Sequence, residues 1–243
     1  MSALRGGVAL VTGAGQRVGQ AIALALGAEG MRVAVHHRAS AEGARRTASA
    51  LRGLGVESAT FAADLVDPDA PNRLVGDVAA RFGRLDLLVN SAALMRRIAL
   101  DEVTPAMWDE TFALNARAPF FLALAAARAM GEPGGAIVNI ADHLAHESWP
   151  MLVPHAVSKG AIEVITRQLA VQLAPRVRVN AVAPGAVLAP DGWPEAARKR
   201  FEEETPLRRL GTPDDVAQAV VYLASAPYVT GQVLFVDGGR RLH

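Results

Sequence analysis

Short apolar, β-branched runs alternate along this chain with longer stretches whose apolar residues recur at three- and four-residue spacing. The first pattern is that of buried parallel strands, the second that of helices with one face on a core. Strands are predicted over 8–12, 32–36, 56–62, 85–89, 136–140, 177–182 and 232–236. Helices are predicted over 18–29, 41–54, from Pro68 to Phe82, from Thr104-Pro105 to Met130, and over 155–173, 195–204 and 214–224. Gly30, Gly53, Gly55 and Pro175 mark helix ends. Alternation from end to end predicts an α/β fold: a doubly wound parallel sheet of about seven strands with helices on both faces. No repeat, linker or low-complexity tract interrupts it, so one domain is expected over 1–243.

Composition narrows the class. Apolar residues make up 51% of 243 positions, enough for a core on both sides of a sheet. The formal net charge is +1 and the arginines are scattered, which gives no electrostatic footprint for nucleic acid. The chain has no cysteine, which removes disulfides, thiolate chemistry and cysteine zinc sites. The opening residues run into a short strand without the apolar region of a signal peptide, and no apolar run reaches membrane-spanning length. A cytoplasmic protein acting on a small molecule is expected, with no nucleic-acid or membrane partner.

The turn between the first strand and the first helix reads Thr12-Gly13-Ala14-Gly15-Gln16-Arg17-Val18-Gly19. Glycine lets backbone approach a pyrophosphate, and a helix N-terminus offers free N–H groups and a positive dipole end. The spacing is not G-x-G-x-x-G, because Val18 stands where that pattern has glycine. The second strand ends His36-His37-Arg38-Ala39-Ser40, without the acid that takes the ribose hydroxyls in NAD binders. Alone, Arg38 reads as a surface arginine. Together with Arg17 and the missing acid it points to a 2′-phosphate and hence to NADP(H).

The reacting chemistry is expected between Ile137 and Ile162. A buried strand there breaks at Asp142 into a loop with His143, His146 and Trp149, and a helix follows carrying His155 and Lys159 one turn apart on one face. Imidazole works as a general acid or base near neutrality. A charged Lys159 would disfavour the imidazolium and Asp142 would favour it. The Asp142, His143, His146 and His155 spacing matches no metal motif, so no metal is expected and His143 and His146 read as loop or pocket-lining residues. Trp149 and Trp193 flank the expected substrate opening, where they stack a flat heterocycle or simply pack the rim.

These residues resemble the short-chain dehydrogenase/reductase family over essentially the whole chain. Thr12, Gly13 and Gly19 match its T-G-x-x-x-G-x-G motif, with Arg17 for the middle glycine. Asp64-Leu65 is similar to the family's adenine-contacting pair, and Asn90-Ser91-Ala92-Ala93 to its N-N-A-G turn. Asn115 matches the helix asparagine of its proton relay, Lys159 the lysine of Y-x-x-x-K, Asn180 and Pro184-Gly185 the nicotinamide side, and Thr230-Gly231 to Gly239 the C-terminal strand. The resemblance implies a Rossmann-type sheet, cofactor contacts at Gly13, Gly15, Arg17, Val18, Gly19, His37, Arg38, Ala39, Ser40, Asp64, Leu65, Asn90, Ser91, Ala92, Lys159, Pro184 and Gly185, and a homo-oligomer, tetramer or dimer. Arg17, the His-Arg strand end and Asp142 in the serine position narrow it to the pteridine reductase subgroup. Two positions depart: Met95 stands near the subgroup's pterin-stacking aromatic, and His155 stands for the tyrosine. The only tyrosines, Tyr222 and Tyr228, lie in C-terminal elements.

The resemblance implies an NADPH-dependent reductase of a pterin-like or other carbonyl or imine compound. Asp142 and His155 would replace the Ser/Tyr pair, Lys159 would hold the nicotinamide ribose, and Asn115 would order a water, brace a helix bulge by bonding backbone, or do both. The alternatives are a catalytically silent NADP(H)-binding protein with a regulatory or scaffolding role, and a ketone or 3-oxoacyl reductase.

Overall fold

A computed structural model describes residues 3–188 and 193–242. Seven parallel strands lie in one sheet in the order β3-β2-β1-β4-β5-β6-β7. They are β1 (Val8–Val11), β2 (Arg32–His37), β3 (Ser58–Ala62), β4 (Leu87–Asn90), β5 (Gly135–Ile140), β6 (Val177–Pro184) and β7 (Val233–Val236). Successive strand residues point to opposite faces. Ala9, Val11, Val33, Val35, Leu87, Val89, Ala136 and Val138 pack beneath α1 (Arg17–Ala28), α2 (Ala41–Gly53) and α8 (Pro213–Ser225). Val8, Leu10, Ala34, Leu88, Ile137, Val177 and Val179 pack beneath α3 (Ala70–Phe82), α5 (Ala118–Met130) and α6 (Val153–Gln172). Burial on both faces explains why the strands read as continuous apolar runs. Strand order reverses between β1 and β4, which opens a crevice at the carboxyl ends of the strands.

Every predicted element is present, with shifted edges. The third strand begins at Ser58 rather than 56, because Val56 N–H still bonds the Leu51 carbonyl at the end of α2. The third helix begins at Ala70 rather than Pro68. Asp64 and Asp67 carboxylates accept the N–H groups two residues on (Val66 and Asp69) and hold this stretch in side-chain-capped turns. The fourth strand occupies Leu87–Asn90, and the sixth runs to Pro184, in register with Val236. The long helix from Pro105 is not uniform: α4 (Pro105–Phe112) passes through a π turn (Ala113–Arg117) into α5. Helix α6 starts two residues before His155, with Pro154 in its first turn, where a missing N–H costs nothing. Helix α7 (Glu195–Glu204) follows a stretch after β6 in which residues 189–192 lie outside the described residues. Among the described residues no helix is long and apolar enough to cross a membrane.

Candidate active site

The crevice between β1 and β4 is a cleft of about 340 Å³ lined by Gly13, Arg17, Val18, Gly19, Arg38, Leu65, Ser91 and Ala92, all expected, and by Gln16, His36, Ala63 and Leu94 among others. Its floor is tight. A Cβ on Gly19 would collide with the Gly13 carbonyl, and one on Gly13 would meet Ala92 Cα at 3.0 Å. Thr12 Oγ1 fastens the two strand ends by accepting the N–H groups of Ser91 (2.9 Å) and Ala92 (3.0 Å). No side chain caps the N-terminus of α1, so its first N–H groups face the cleft. A glycine-floored cleft, an uncapped helix end and two arginines fit a phosphorylated dinucleotide.

Arg17 adopts φ 54, the left-handed region where the matched motif has glycine. Among the described residues it has no acidic partner, whereas Arg38 lies 4.0 Å from Asp64. His36, not singled out as a contact from the sequence, organises the turn. Its Nδ1 accepts the Gly13 N–H at 3.1 Å and its Nε2–H donates to the Ala63 carbonyl at 3.1 Å. Burial pulls this imidazole down to about 4, so it stays neutral in the tautomer that both bonds require.

Other expected contacts stand outside this lining. Gly15 packs against Ser40 and Ala44 of the next helix, where its missing Cβ permits close approach. His37 is half-buried with Nδ1 unpartnered, and Ala39 and Ser40 lie beyond the cleft. Asn90 turns inward: its Nδ2 donates to Asn139 Oδ1 (2.9 Å), whose Nδ2 donates to Thr166 Oγ1 (2.9 Å). This buried chain ties β4, β5 and α6 together and leaves the backbone of Ser91 and Ala92 to face the cleft. Asn180 likewise braces Val229 and Gln232. Pro184 and Gly185 end β6, where Gly185 N–H bonds Val236 and a Cβ would press on Asp237.

Beyond the cleft, the end of β5 and the first turns of α6 bring Asp142, His155, Lys159 and Asn115 together. His155 is buried, with Nε2 3.0 Å from Asp142 Oδ2 and Nδ1 3.0 Å from the Leu94 carbonyl. A carbonyl only accepts, so Nδ1 carries hydrogen. Nε2 is the ring nitrogen that faces the Asp142 carboxylate. Burial alone would raise the Asp142 carboxyl. The hydrogen bond and charge of His155, the Leu144 N–H and the charge of His143 outweigh it and hold Asp142 below the usual carboxylate range. Lys159 is also buried and donates to the Ile140 carbonyl at 2.6 Å. Burial lowers its ammonium to about 8, with the Asp142 charge opposing.

Asn115 sits in the π turn with its amide already engaged. Its Oδ1 accepts the Leu94 N–H (2.7 Å), and its Nδ2 donates to the Leu94 carbonyl (2.9 Å) and Ser158 Oγ (3.0 Å). It braces the strand end and α6. His143 lies in the loop between β5 and α6 and is buried there, with Nδ1 2.9 Å from Glu147 Oε2. His146 bonds the buried Glu163 at 2.8 Å. Trp149 and Trp193 both pack on Phe201, with ring centroids 6.0 and 5.4 Å away, and the Arg240 guanidinium lies 3.9 Å from the Phe201 ring centre. Tyr222, on α8, is on the opposite face of the sheet from α6, and Tyr228 is fully exposed. Glu147 and Arg240 had no signal in the sequence, because Arg240 reaches this loop from far along the chain.

Fold and cleft define an α/β protein built to hold a dinucleotide. A family model described as Enoyl-(Acyl carrier protein) reductase matches residues 13–241. Versicolorin reductase 1 of Aspergillus parasiticus is 36% identical, with 97% of each chain covered. A 3-oxoacyl-[acyl-carrier-protein] reductase of Staphylococcus aureus is 33% identical, over 95% of this chain and 96% of its own. The landomycin C-6 ketoreductase LanV, solved with bound NADP and rabelomycin, superposes with a TM-score of 0.90 at 34% identity, covering 100% of this chain and 99% of its own. The chain belongs to the short-chain dehydrogenase/reductase family.

Proposed function

We propose that this protein is an NADPH-dependent reductase of small-molecule ketones, with Asp142, His155 and Lys159 as its reaction centre. The observation that carries the reading is the Asp142–His155 contact at 3.0 Å, with Leu94 on the far ring nitrogen. It stores a proton at a strand end, beside the dinucleotide cleft. NADPH, when bound, supplies the hydride. The residues of the chain supply the proton and the orientation. A substrate oxygen entering beside His155 takes its proton from the ring at Nε2, and Asp142 orients the imidazole for that transfer. The Lys159 ammonium is the cation for the nicotinamide ribose. Arg17 and Arg38 at the other end of the cleft support the 2′-phosphate.

Ketones lead because the relatives include a C-6 ketoreductase and a 3-oxoacyl reductase. A pterin-like substrate is the second reading, supported by Arg17 and Asp142 in their motif positions. The protein is also proposed to act as a homo-oligomer, a tetramer or a dimer, joined through the apolar outer faces of α5 and α6.

The test follows NADPH absorbance with a polycyclic aromatic ketone, a β-keto thioester and dihydrobiopterin. Turnover is expected on a ketone arm, falling by about 100-fold or more in His155→Ala. Turnover on the pterin alone would reverse the order of the two readings. Tight NADPH binding without turnover on any arm would sink both and leave a silent binder. Arg38→Ala should weaken NADPH by about tenfold and NADH hardly at all.

A further inference from the structure

Three segments that are far apart in the sequence meet at one guanidinium. The loop after β5 begins at Asp142, whose Oδ1 accepts the Leu144 N–H at 3.0 Å and caps the short turn that follows. Further along that loop, Glu147 Oε1 accepts from Arg240 Nε at 3.2 Å and from Nη2 at 3.1 Å. The outer edge of the same guanidinium reaches Glu204, the last residue of α7, with Nη1 and Nη2 each 3.4 Å from Oε2. Its face lies over Phe201 of α7, 3.9 Å from the ring centre, and it stands 5.9 Å from the ring centre of Trp149 in the loop. The Trp149 and Phe201 rings also pack on each other, with centroids 6.0 Å apart.

Arg240 stands on a fixed base. Asp237, directly after β7, accepts the Gly239 N–H at 2.9 Å and the Arg241 N–H at 3.2 Å. The Gly238 carbonyl accepts the Leu207 N–H at 3.2 Å, so this turn is tied to the chain beyond α7. The Arg240 side chain is only 12% exposed. Ion pairs so far out of water add little stability, because lost hydration offsets their attraction. What this one supplies is geometry. A planar fork can meet a carboxylate on each edge and a ring on its face at once, and an ammonium cannot. The other oxygen of Glu147, Oε2, accepts from His143 Nδ1 at 2.9 Å, and His143 is the chain neighbour of Asp142. The junction is therefore one buried side chain away from the reaction centre.

We propose that Arg240 is a positioning residue for the ketone: it clamps α7 onto the β5–α6 loop and so fixes the wall beside Asp142 against which the substrate binds. Its side-chain bonds go to Glu147 and Glu204, not to Asp142, His155 or Lys159, and it lies outside the dinucleotide cleft. Loss of the clamp thus loosens the substrate wall while the proton donor and the cofactor contacts stay in place. The signature is a selective loss of substrate affinity.

The clamp rests on the reductase reading, and the test keeps the two apart. With a ketone that the wild type reduces, Arg240→Gln should raise the ketone KM about tenfold, with the NADPH KM within about twofold and kcat within about threefold. Arg240→Lys should recover only part of the loss, because it keeps the charge and not the fork. Glu147→Gln should raise the same KM, and the double variant should cost no more than the larger single change, since both remove one contact. If Arg240→Gln does not fold, Glu147→Gln and Arg240→Lys carry the same comparison. An unchanged ketone KM, equal rises in both KM values, or additive losses in the double variant overturn the clamp. If the wild type reduces no ketone, the reductase reading fails on its own. The clamp is then judged by trypsin digestion with NADPH present, because Arg198, Lys199 and Arg200 are exposed cleavage points on α7. Cleavage there about tenfold faster in Arg240→Gln, with other sites cut as in the wild type, supports it, and equal rates overturn it.

Discussion

At Lys159 burial works against charge, and the consequence can be measured. Its ammonium sits at about 8, below the ordinary lysine value, because the buried site penalises the charged form. The unfolded chain therefore holds this proton more tightly than the folded one. Between about 8 and the ordinary value near 10.5, rising pH removes the cost of burying the ammonium, and the Lys159 contribution to stability grows. The gain is at most about 1.4 kcal/mol per pH unit. Melting of wild type against Lys159→Met, from pH 7 to 10, should show the difference moving in favour of the wild type with pH. A flat difference would mean that the ammonium is not buried in this way. Over the same interval the activity should fall if Lys159 has its proposed place at the cofactor ribose, since the neutral amine offers no charge there. His155 and Lys159 were legible in the sequence because i and i+4 on a helix share a face, and Asp142 because it ends a strand. His143 read as a loop residue, since sequence spacing does not say that Glu147 and Trp149 close over it. Asn115 was read both as a water holder and as a brace for a helix bulge, and its contacts with the Leu94 backbone are those of the brace.

Among the elements, those with local signals matched best. The Thr212-Pro213 start of α8 is a full capping box: Thr212 Oγ1 accepts the Asp215 N–H at 3.2 Å, and Asp215 Oδ2 accepts the Thr212 N–H at 2.8 Å. Thr212→Ala should cost about 1 kcal/mol, or about 2–4 °C in melting temperature. The bond from Arg209 holds the Asp215 carboxyl down at about 2, against the opposing effect of burial. Its support is therefore complete at neutral pH and is lost as pH falls from the ordinary carboxylate value near 3.8 towards 2. Thr212→Ala melting as the wild type does would show that the cap is redundant. The π turn at Ala113–Arg117 was legible only through the reading of Asn115 as a brace, because one extra residue in a helical turn leaves the apolar spacing almost intact. It nevertheless sets where the Asn115 side chain points.

For the whole molecule, alternation of strands and helices was enough for a parallel, doubly wound sheet, and strand order was not. The reversal between β1 and β4 brings the glycine turn and Ser91-Ala92 to one cleft, a pairing that no local pattern encodes. The outer face of α6 carries exposed Val157, Val164 and Val171 at seven-residue spacing, and Phe121 is exposed on the adjacent α5. Val171 is 75% exposed in the single chain, an unusual setting for a valine stripe beside an aromatic. Light scattering should give a dimer or tetramer for the wild type and a smaller species for Val164→Glu. A wild-type monomer at micromolar concentration would refute the proposed assembly. One consequence comes from the glycine turn itself. Arg17 occupies a left-handed backbone that a residue with a Cβ adopts at a cost of about 1–2 kcal/mol and that glycine adopts freely. With Arg17 in its proposed place beside the 2′-phosphate, robustness and cofactor discrimination pull in opposite directions at a single codon. Replacing Arg17 by glycine relaxes the chain while discarding a cation, so a drift away from phosphate selectivity at this turn runs downhill in folding energy, and the return journey runs uphill.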